Sequence, residues 1–460
     1  MFRTGALWTA EALAEATGGE LTPGGATAEV ESVAIDTRRL APGALFIALR
    51  GENGDGHAHV GAALAAGARL VMVHEPVPGP ALVVGDTLAG LHALGRAGRA
   101  RFGGRVIAVT GSVGKTTVKE MLRAAMAPAG VVHAAEASFN NHWGVPLTLA
   151  RLPRSASFCV SEIGTNHPGE IAPLADLVRP DVAVVTAIGT AHVGLMGGIE
   201  AIAREKASLF GALRAGGVAV LPVDAAHVDV LRAAVPAGVR VVGFGTGVGA
   251  SARLVGVEAA GEAWAVSAVV DGRAVRFGLQ AAGRHMALNA VAVLGACVAA
   301  GVELEVAAEG LGAFRTGAGR GLVRPILGGR STLLDESYNA SGASVRAALE
   351  VLALLPAERR LAFLGDMLEL GAWAEAEHRV LAEPAAEAAD LVFCCGPSSR
   401  ALFEALPERA RGLWAPDAES LAREVASIVR TGDAVLVKGS NGSRMRLVVE
   451  ALLAVDDGNG

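Results

Sequence analysis

Eight consecutive residues, Thr110-Gly111-Ser112-Val113-Gly114-Lys115-Thr116-Thr117, join glycines, a lysine and hydroxyls in an order suited to holding a phosphate group. Glycines let backbone N–H groups come close to phosphate oxygens, and a helix opening at that point adds positive potential. Lys115 would neutralise β- and γ-phosphates, and a threonine hydroxyl would hold Mg²⁺. Only Ser112 and Val113 separate Gly111 from Gly114, so the loop is a shortened form of the common motif. The competing reading is an ordinary glycine turn before a helix. Lys-Thr-Thr directly after an apolar run disfavours it.

Other residues could serve the same chemistry. Glu162, in Ser161-Glu162-Ile163-Gly164-Thr165-Asn166, sits at the end of an apolar run. A carboxylate there is costly unless it is paired or bound to a metal. Mg²⁺ coordination and a salt bridge to a loop arginine are the two readings. His192, in Thr186-Ala187-Ile188-Gly189-Thr190-Ala191-His192, could ligate a metal or touch phosphate, although a lone histidine is more often structural. Lys206, in Ala203-Arg204-Glu205-Lys206, reads by itself as a solvated helix residue. Asn289 opens an apolar helix and could offer donor and acceptor to a purine edge, or could simply cap the helix or meet solvent. Cys159, Cys297, Cys394 and Cys395 sit in apolar stretches without a second Cys or His pair at ligand spacing, so they read as small hydrophobes.

The elements that must position these residues fall into three blocks. In residues 98–313, the run 105–110 reads as a buried parallel strand. The following helix carries Val118, Met121, Leu122 and Ala125 on one face and ends at Pro128. Further strands are expected at 157–162, 181–187, 218–221 and 240–244, giving βαβ units and a parallel sheet of P-loop ATPase type. The stretch 252–278 reads as antiparallel ribbon. Residues 1–97 form a small N-terminal α/β domain, with a strand at 44–49 and a helix from 87 that leads into a connector ending near 104. Residues 314–460 alternate strands (331–335, 361–365, 391–395, 412–415, 434–437) with helices. This predicts a Rossmann-like doubly wound domain whose ligand-facing positions, Glu336, Asp366, Gly396 and Lys438, lie just past the strand ends.

Composition narrows the function further. The chain has 460 residues, 52% of them hydrophobic, which excludes intrinsic disorder as the dominant state and suits several domains. Net charge of −6 and 4% aromatics leave no basic footprint or stacking platform for nucleic acid. The longest apolar run, 290–302, is shorter than a membrane span requires and reads as a buried core helix. The first residues, Met1 to Leu7, lack the apolar region of a signal peptide. A cytoplasmic protein that is not membrane-embedded is expected.

Taken jointly, Thr110–Thr117, Glu162 to Asn166, Ala191-His192, Lys206 and Gly283 to Asn289 resemble, in this order, the ATP-dependent Mur ligases of cell-wall synthesis. Leu334-Asp335-Glu336-Ser337-Tyr338-Asn339-Ala340, Leu364-Gly365-Asp366-Met367-Leu368-Glu369-Leu370-Gly371, Val437-Lys438-Gly439-Ser440 and Asn140-Asn141-His142-Trp143-Gly144-Val145-Pro146 resemble the branch that adds D-alanyl-D-alanine. Asp36-Thr37-Arg38 and Gly51-Glu52-Asn53-Gly54-Asp55-Gly56-His57 are similar to that family's nucleotide-sugar domain.

The resemblance implies UDP bound in the first domain, ATP in the second, and a third domain closing over both. The substrates would be UDP-MurNAc-tripeptide, D-Ala-D-Ala and ATP, converted through an acyl phosphate to the pentapeptide precursor, ADP and phosphate by a monomer. By resemblance, Lys115, Glu162, His192 and Lys206 are catalytic. Gly111 to Thr117 hold ATP phosphates, Asn289 meets adenine, Arg320 reaches phosphate and Glu336 the ribose. Two Mg²⁺ ions are implied, one on Thr116 and Glu162, the other on His192 and a Lys206 that is often carbamylated in the family. Asn140 and Asn141 would lie near the sugar-peptide, and Thr37 and Arg38 near UDP. Three positions depart from the family pattern: Glu336 replaces an aspartate, Ser341 stands where asparagine is usual, and Ser208 where glutamate is common. The ligase that adds the third amino acid is disfavoured, because its Asp-Asn-Pro-Arg motif is absent. The folate-polyglutamating relative lacks a UDP domain. A non-catalytic scaffold has no need of two metal sites.

Overall fold

Three sheets, each built from its own stretch of chain, carry the site. The computed structural model describes residues 5–51, 54–136, 138–260 and 263–457; Glu52 and Asn53 of the first-block motif and residues 1–4 lie outside them. The first sheet runs in the order Glu20–Leu21, Ala81–Val83, Leu70–Val73, Ala44–Ile47, Ser32–Ala34, parallel except at its first junction. Its central strands are apolar on both faces because both are covered. Leu45, Ile47, Leu70 and Met72 pack with Leu13, Leu91 and Leu94, while Phe46, Val71 and Val73 pack with Val60 and Ala63.

Helix Thr87–Ala100 crosses the expected boundary at 97 without a break. Asp86 caps it, accepting from the Ala89 N–H at 2.6 Å. The helix lies so close to helix Gly144–Ala150 that a Cβ on Gly98 would sit 2.1 Å from the Leu149 carbonyl oxygen. Buried Arg99 reaches further, donating to the Val178 carbonyl at 2.7 Å. These contacts fasten the first domain to the second.

The central sheet has nine strands in the order Val132–Ala134, Phe158–Glu162, Arg105–Thr110, Val182–Val185, Val218–Pro222, Arg240–Gly245, Ala252–Ala260, Ala263–Val270, Arg273–Leu279. The first six are parallel, as the alternation of strand and helix requires. The ribbon is antiparallel as expected, but its first strand pairs in parallel with Arg240–Gly245, so it continues the same sheet. Helices Lys115–Met126, Arg284–Ala299 and Leu304–Gly312 bury one face of the sheet in a core containing Val118, Met121, Leu122 and Val291. The apolar run 290–302 begins inside helix Arg284–Ala299 and extends three residues past its end, and among the described residues no helix is long and apolar enough to cross a membrane.

The third sheet runs Leu322–Ile326, Ser331–Glu336, Asp433–Lys438, Arg359–Gly365, Leu391–Cys395, Arg411–Ala415. Five strands are parallel, and the edge strand Leu322–Ile326 is an unanticipated antiparallel addition that tolerates Pro325 because it is an edge. Helices Gly342–Leu354 and Ala382–Ala388 cover one face; Ala418–Ile428 and Arg446–Asp457 cover the other. The sheet is therefore doubly wound. The connections change direction across the sheet at Asp433–Lys438, the last strand in sequence set between Ser331–Glu336 and Arg359–Gly365, which places Glu336 and Lys438 at the switch point. All four cysteines are buried and unbridged, as expected of small hydrophobes.

Candidate active site at the strand ends

The strand Arg105–Thr110 delivers the phosphate loop. Gly111 (φ +152°) and Gly114 (φ +83°) hold backbone conformations that side chains rarely adopt. A Cβ on Gly111 would lie 1.9 Å from Thr186 Oγ1, and one on Gly114 3.2 Å from Asn289 Oδ1. The loop is pinned from the next strand. Ser112 N–H donates to the Ala187 carbonyl at 2.8 Å, and Thr186 Oγ1 donates to the Val113 carbonyl at 2.5 Å. Gly114 opens helix Lys115–Met126 without any side-chain cap, so the first N–H groups are left for an anion. The Lys115 ammonium folds back onto the Gly111 carbonyl at 2.7 Å. Burial lowers its pKa, Glu162 opposes that shift, and Arg320 adds to it.

Glu162, 1% exposed, ends the neighbouring strand. Its Oε1 accepts from Thr116 Oγ1 at 3.1 Å and from Asn140 Nδ2 at 2.8 Å. Its Oε2 is buried and has no hydrogen-bond partner among the described residues. The salt-bridge reading is met only loosely, and by a helix lysine instead of a loop arginine. Lys119 Nζ stands 3.9 Å from Oε2 and is occupied by the Ala135 carbonyl at 2.8 Å and Glu120 at 3.1 Å. An orphaned carboxylate oxygen beside a threonine hydroxyl fits a hard cation.

Lys206 is no solvated helix residue. It is 1% exposed on helix Ile199–Ala207, and its ammonium makes no ion pair or hydrogen bond among the described residues. Burial drives its pKa well below the usual lysine value; the Lys115 charge adds to this and Glu205 opposes it. Glu205 itself is committed to the Gly169 and Ile171 N–H groups at 2.7 and 2.8 Å. His192 caps helix Val193–Met196 in a left-handed conformation, and its Nδ1 contacts the Glu369 carboxylate. Burial lowers its pKa, Glu369 resists, and the Lys115 and Lys206 charges lower it further.

The third domain completes the walls. Arg320 lies over the Tyr338 ring at 3.8 Å and donates to Ser138 Oγ at 3.3 Å. Lys438, 1% exposed, pairs with Glu336 at 3.2 Å and donates to the Asn339 carbonyl at 3.0 Å. A cavity of about 550 Å³ joins the loop residues Ser112 to Thr117 to Glu162, His192, Asn140, Asn289, Arg320, Glu336 and Lys438.

Some expected residues lie elsewhere. Asp366 and Gly396, anticipated at ligand-facing strand ends, do not line this cavity. The Asp366 carboxylate accepts from the Ser399 N–H at 2.7 Å, and Gly396 packs against it. Asn141 also stays outside; its Oδ1 accepts from Trp143 and Gly144 N–H at 3.1 and 3.0 Å, organising the start of the next helix. Thr37 and Arg38 occupy a short helical turn in the first domain, where the exposed Arg38 guanidinium forks onto Asp36. That pairing holds the Asp36 carboxyl down at about 2. Ser341, by contrast, lines the cavity while capping helix Gly342–Leu354 in a capping box with Ser344, and Ser208 donates to the Glu205 carbonyl. Asp224, Phe244 and His285 line the cavity without having been singled out. Asp224 follows strand Val218–Pro222, so the strand-end logic applied to Glu162 could have found it.

Comparison with known proteins follows the same division of the chain. Residues 29–91 match the Mur ligase family catalytic domain, 109–297 the Mur ligase middle domain and 326–441 the Mur ligase glutamate ligase domain. The chain is 35% identical to the UDP-N-acetylmuramoyl-tripeptide--D-alanyl-D-alanine ligase of Escherichia coli, over 96% of this chain and 98% of that one. Its fold superposes on MurF from Acinetobacter baumannii with a TM-score of 0.87 at 29% identity, covering 97% and 99% of the two chains. It also superposes on the MurF ligase of Thermotoga maritima in complex with ADP, with a TM-score of 0.81 at 26% identity, covering 93% and 98%.

Proposed function

The chain belongs to the Mur ligase family, and from that membership and the geometry of the site we propose that it joins D-alanyl-D-alanine to UDP-N-acetylmuramoyl-tripeptide, driven by ATP, in peptidoglycan precursor synthesis. The observation that carries the reading is the constellation at the central strand ends. An uncapped helix start, Lys115, Thr116 and the orphaned Glu162 Oε2 face one cavity that Arg320 of the third domain also lines.

A carboxylate is a poor electrophile, and phosphorylating the tripeptide's terminal carboxylate first makes it reactive. That step presses one anion onto another. Lys115 and the helix N–H groups bind the nucleotide phosphates and offset the charge that builds up in transfer. Arg320 adds positive charge from the third domain once it leaves the Tyr338 face. Thr116 and Glu162 would hold one Mg²⁺, and His192 with a carbamylated Lys206 a second. When bound, the ions supply charge neutralisation and polarise phosphoryl oxygens. Lys206 suits carbamylation because burial keeps a fraction of its amine neutral and therefore nucleophilic toward CO₂. Asn289, beside Gly114, would meet adenine, and Glu336, held by Lys438, the ribose. The amine of D-Ala-D-Ala then attacks the acyl phosphate and phosphate leaves, with closure of the third domain keeping water out. Asn140, bonded to Glu162, faces the sugar-peptide, and Thr37, Arg38 and Asn141 belong to the precursor-binding side. The protein acts as a cytoplasmic monomer.

The test is phosphate release from ATP with UDP-MurNAc-tripeptide, with and without D-Ala-D-Ala. Release that needs both supports the reading. Release with UDP-MurNAc-dipeptide and a diamino acid would move the chain to the neighbouring ligase. Nucleotide binding without release under any acceptor would favour a scaffold.

A further inference from the structure

The loop that carries His192 is built into the core of a different domain. Val193 and Met196 share one buried cluster with Met367 and Leu370 of the third domain. Gly194 meets residues 370–371 so closely that a Cβ on it would lie 2.7 Å from the Gly371 nitrogen. Thr190 Oγ1 donates to Glu377 Oε2 at 2.9 Å across the same boundary. At the centre of this seam, His192 (φ +61°) faces Glu369 (φ +65°), both in left-handed conformations that non-glycine residues adopt at a cost. Glu369 Oε2 contacts His192 Nδ1, although the contact is off the angle of a well-formed hydrogen bond. The ring lines the nucleotide cavity and lies within electrostatic reach of Lys115 and Lys206.

A histidine that ligates a metal through one nitrogen usually donates its other N–H to a carboxylate, which fixes the tautomer and raises ligand basicity. We propose that Glu369 is that carboxylate for His192. It holds the Nδ1 proton, leaves Nε2 to face the second cation, and so makes affinity at that site depend on docking of the third domain. The inference rests on the assignment of His192 and Lys206 to a cation. Glu369 is then a positioning residue that never touches substrate. Its placement in another domain links domain closure to cation affinity through one contact.

The probe is MnCl₂ titrated into the full chain with a non-hydrolysable ATP analogue, with bound Mn²⁺ counted by electron paramagnetic resonance. Expected is a weaker second site in the native chain, lowered by about 10–100-fold in Glu369→Ala. His192→Gln should lose the same site. Glu369→Gln, which keeps an acceptor oxygen and the same shape, should fall between and also serves if the alanine variant fails to fold. The tighter site, at Thr116 and Glu162, should hold its affinity in all three. If His192→Gln loses the second site while both Glu369 variants titrate like the native chain, the role of Glu369 is refuted and the cation assignment stands. If His192→Gln titrates like the native chain as well, the cation assignment itself fails and takes this inference with it.

Discussion

Replacing Lys115 by methionine separates the chemical role of its charge from any role in folding. Methionine keeps most of the stem and removes the ammonium. Among the described residues the ammonium has one acceptor, the neutral Gly111 carbonyl at 2.7 Å, and it sits in a buried setting that disfavours charge. Two unit charges about 4 Å apart interact by roughly 4 kcal/mol at an effective dielectric of ~20. Only the charge that develops on the transferring phosphoryl group counts toward rate. Losing one such stabilising group typically lowers kcat by about 10²–10³, or ~3–4 kcal/mol. Stability should move the other way or not at all, because the substitution removes a desolvated cation and gives up only one hydrogen bond. Phosphate release at saturating substrates, binding of the UDP precursor by calorimetry and a melting curve test this together. The expected result is a kcat lowered at least a hundredfold, unchanged precursor binding, and a Tm equal to or above that of the native chain. Turnover within tenfold of native, or parallel loss of precursor binding and stability, would refute the assignment.

Three further substitutions probe other groups. Glu162→Gln removes the charge from the orphaned oxygen and should raise the Mg²⁺ concentration needed for half-maximal turnover by at least tenfold, while Lys119 stays held by Ala135 and Glu120; a titration of rate against Mg²⁺ that matches the native curve would remove Glu162 from the cation site. Lys438→Met breaks the pair with Glu336 and should cost about 3 kcal/mol, near the low end for a buried pair because Glu336 still reaches solvent. The double variant with Glu336→Gln should recover part of that loss in urea unfolding, and strict additivity would show that the two do not interact. His378 accepts from the Met367 N–H at 2.9 Å and donates to the Ala374 carbonyl at 2.7 Å, so it is buried neutral and its pKa lies below the usual 6.5. The unfolded chain then binds the extra proton first, so its contribution is complete above pH 6.5 and is lost as pH falls from 6.5 toward the folded value. Tm measured across that range should fall less steeply in His378→Gln.

Local chemistry was legible in the sequence wherever a motif needed particular residue types next to a strand end. Gly111 to Thr117 and Glu162 were found this way, and the structure brings Ser112 to Thr117 and Glu162 to one cavity. The parallel strands were legible because βαβ alternation leaves continuous apolar runs, and Arg105–Thr110 and Leu391–Cys395 fall at the expected residues. What sequence patterns miss is distance across domains. Lys206 lies in a polar helical segment, and only the fold reveals that it is walled in. Lys119 is similar: it sits four positions past Lys115 on the buried side of the same helix, and nothing local marks it as a neighbour of Glu162. Asp366 failed in the opposite direction. Its strand-end place was right, but the Ser399 N–H claims its carboxylate. The strand-end rule locates a region and cannot say which side chains there are already satisfied.

That distinction explains why the site sits where it does. Most buried polar groups in this chain are satisfied: Glu205 caps a helix, Asp366 holds a backbone N–H, and Asp433 forks with Arg359. Around the cavity the accounts stay open. Glu162 Oε2 and His285 Nδ1 lack partners among the described residues, and Lys115 and Lys206 carry charge into places that disfavour it. Lys115, Arg320 and the uncapped start of helix Lys115–Met126 line the cavity and suit an anion. The Lys115 charge lowers the affinity of Lys206 for its proton. Converting Lys206 to a carbamate would turn mutual repulsion into attraction, supply an oxygen ligand, and relieve Lys115 and His192 in one step. The unfavourable groups around the cavity are thus the ones that the phosphates and cations of the proposed reaction would satisfy.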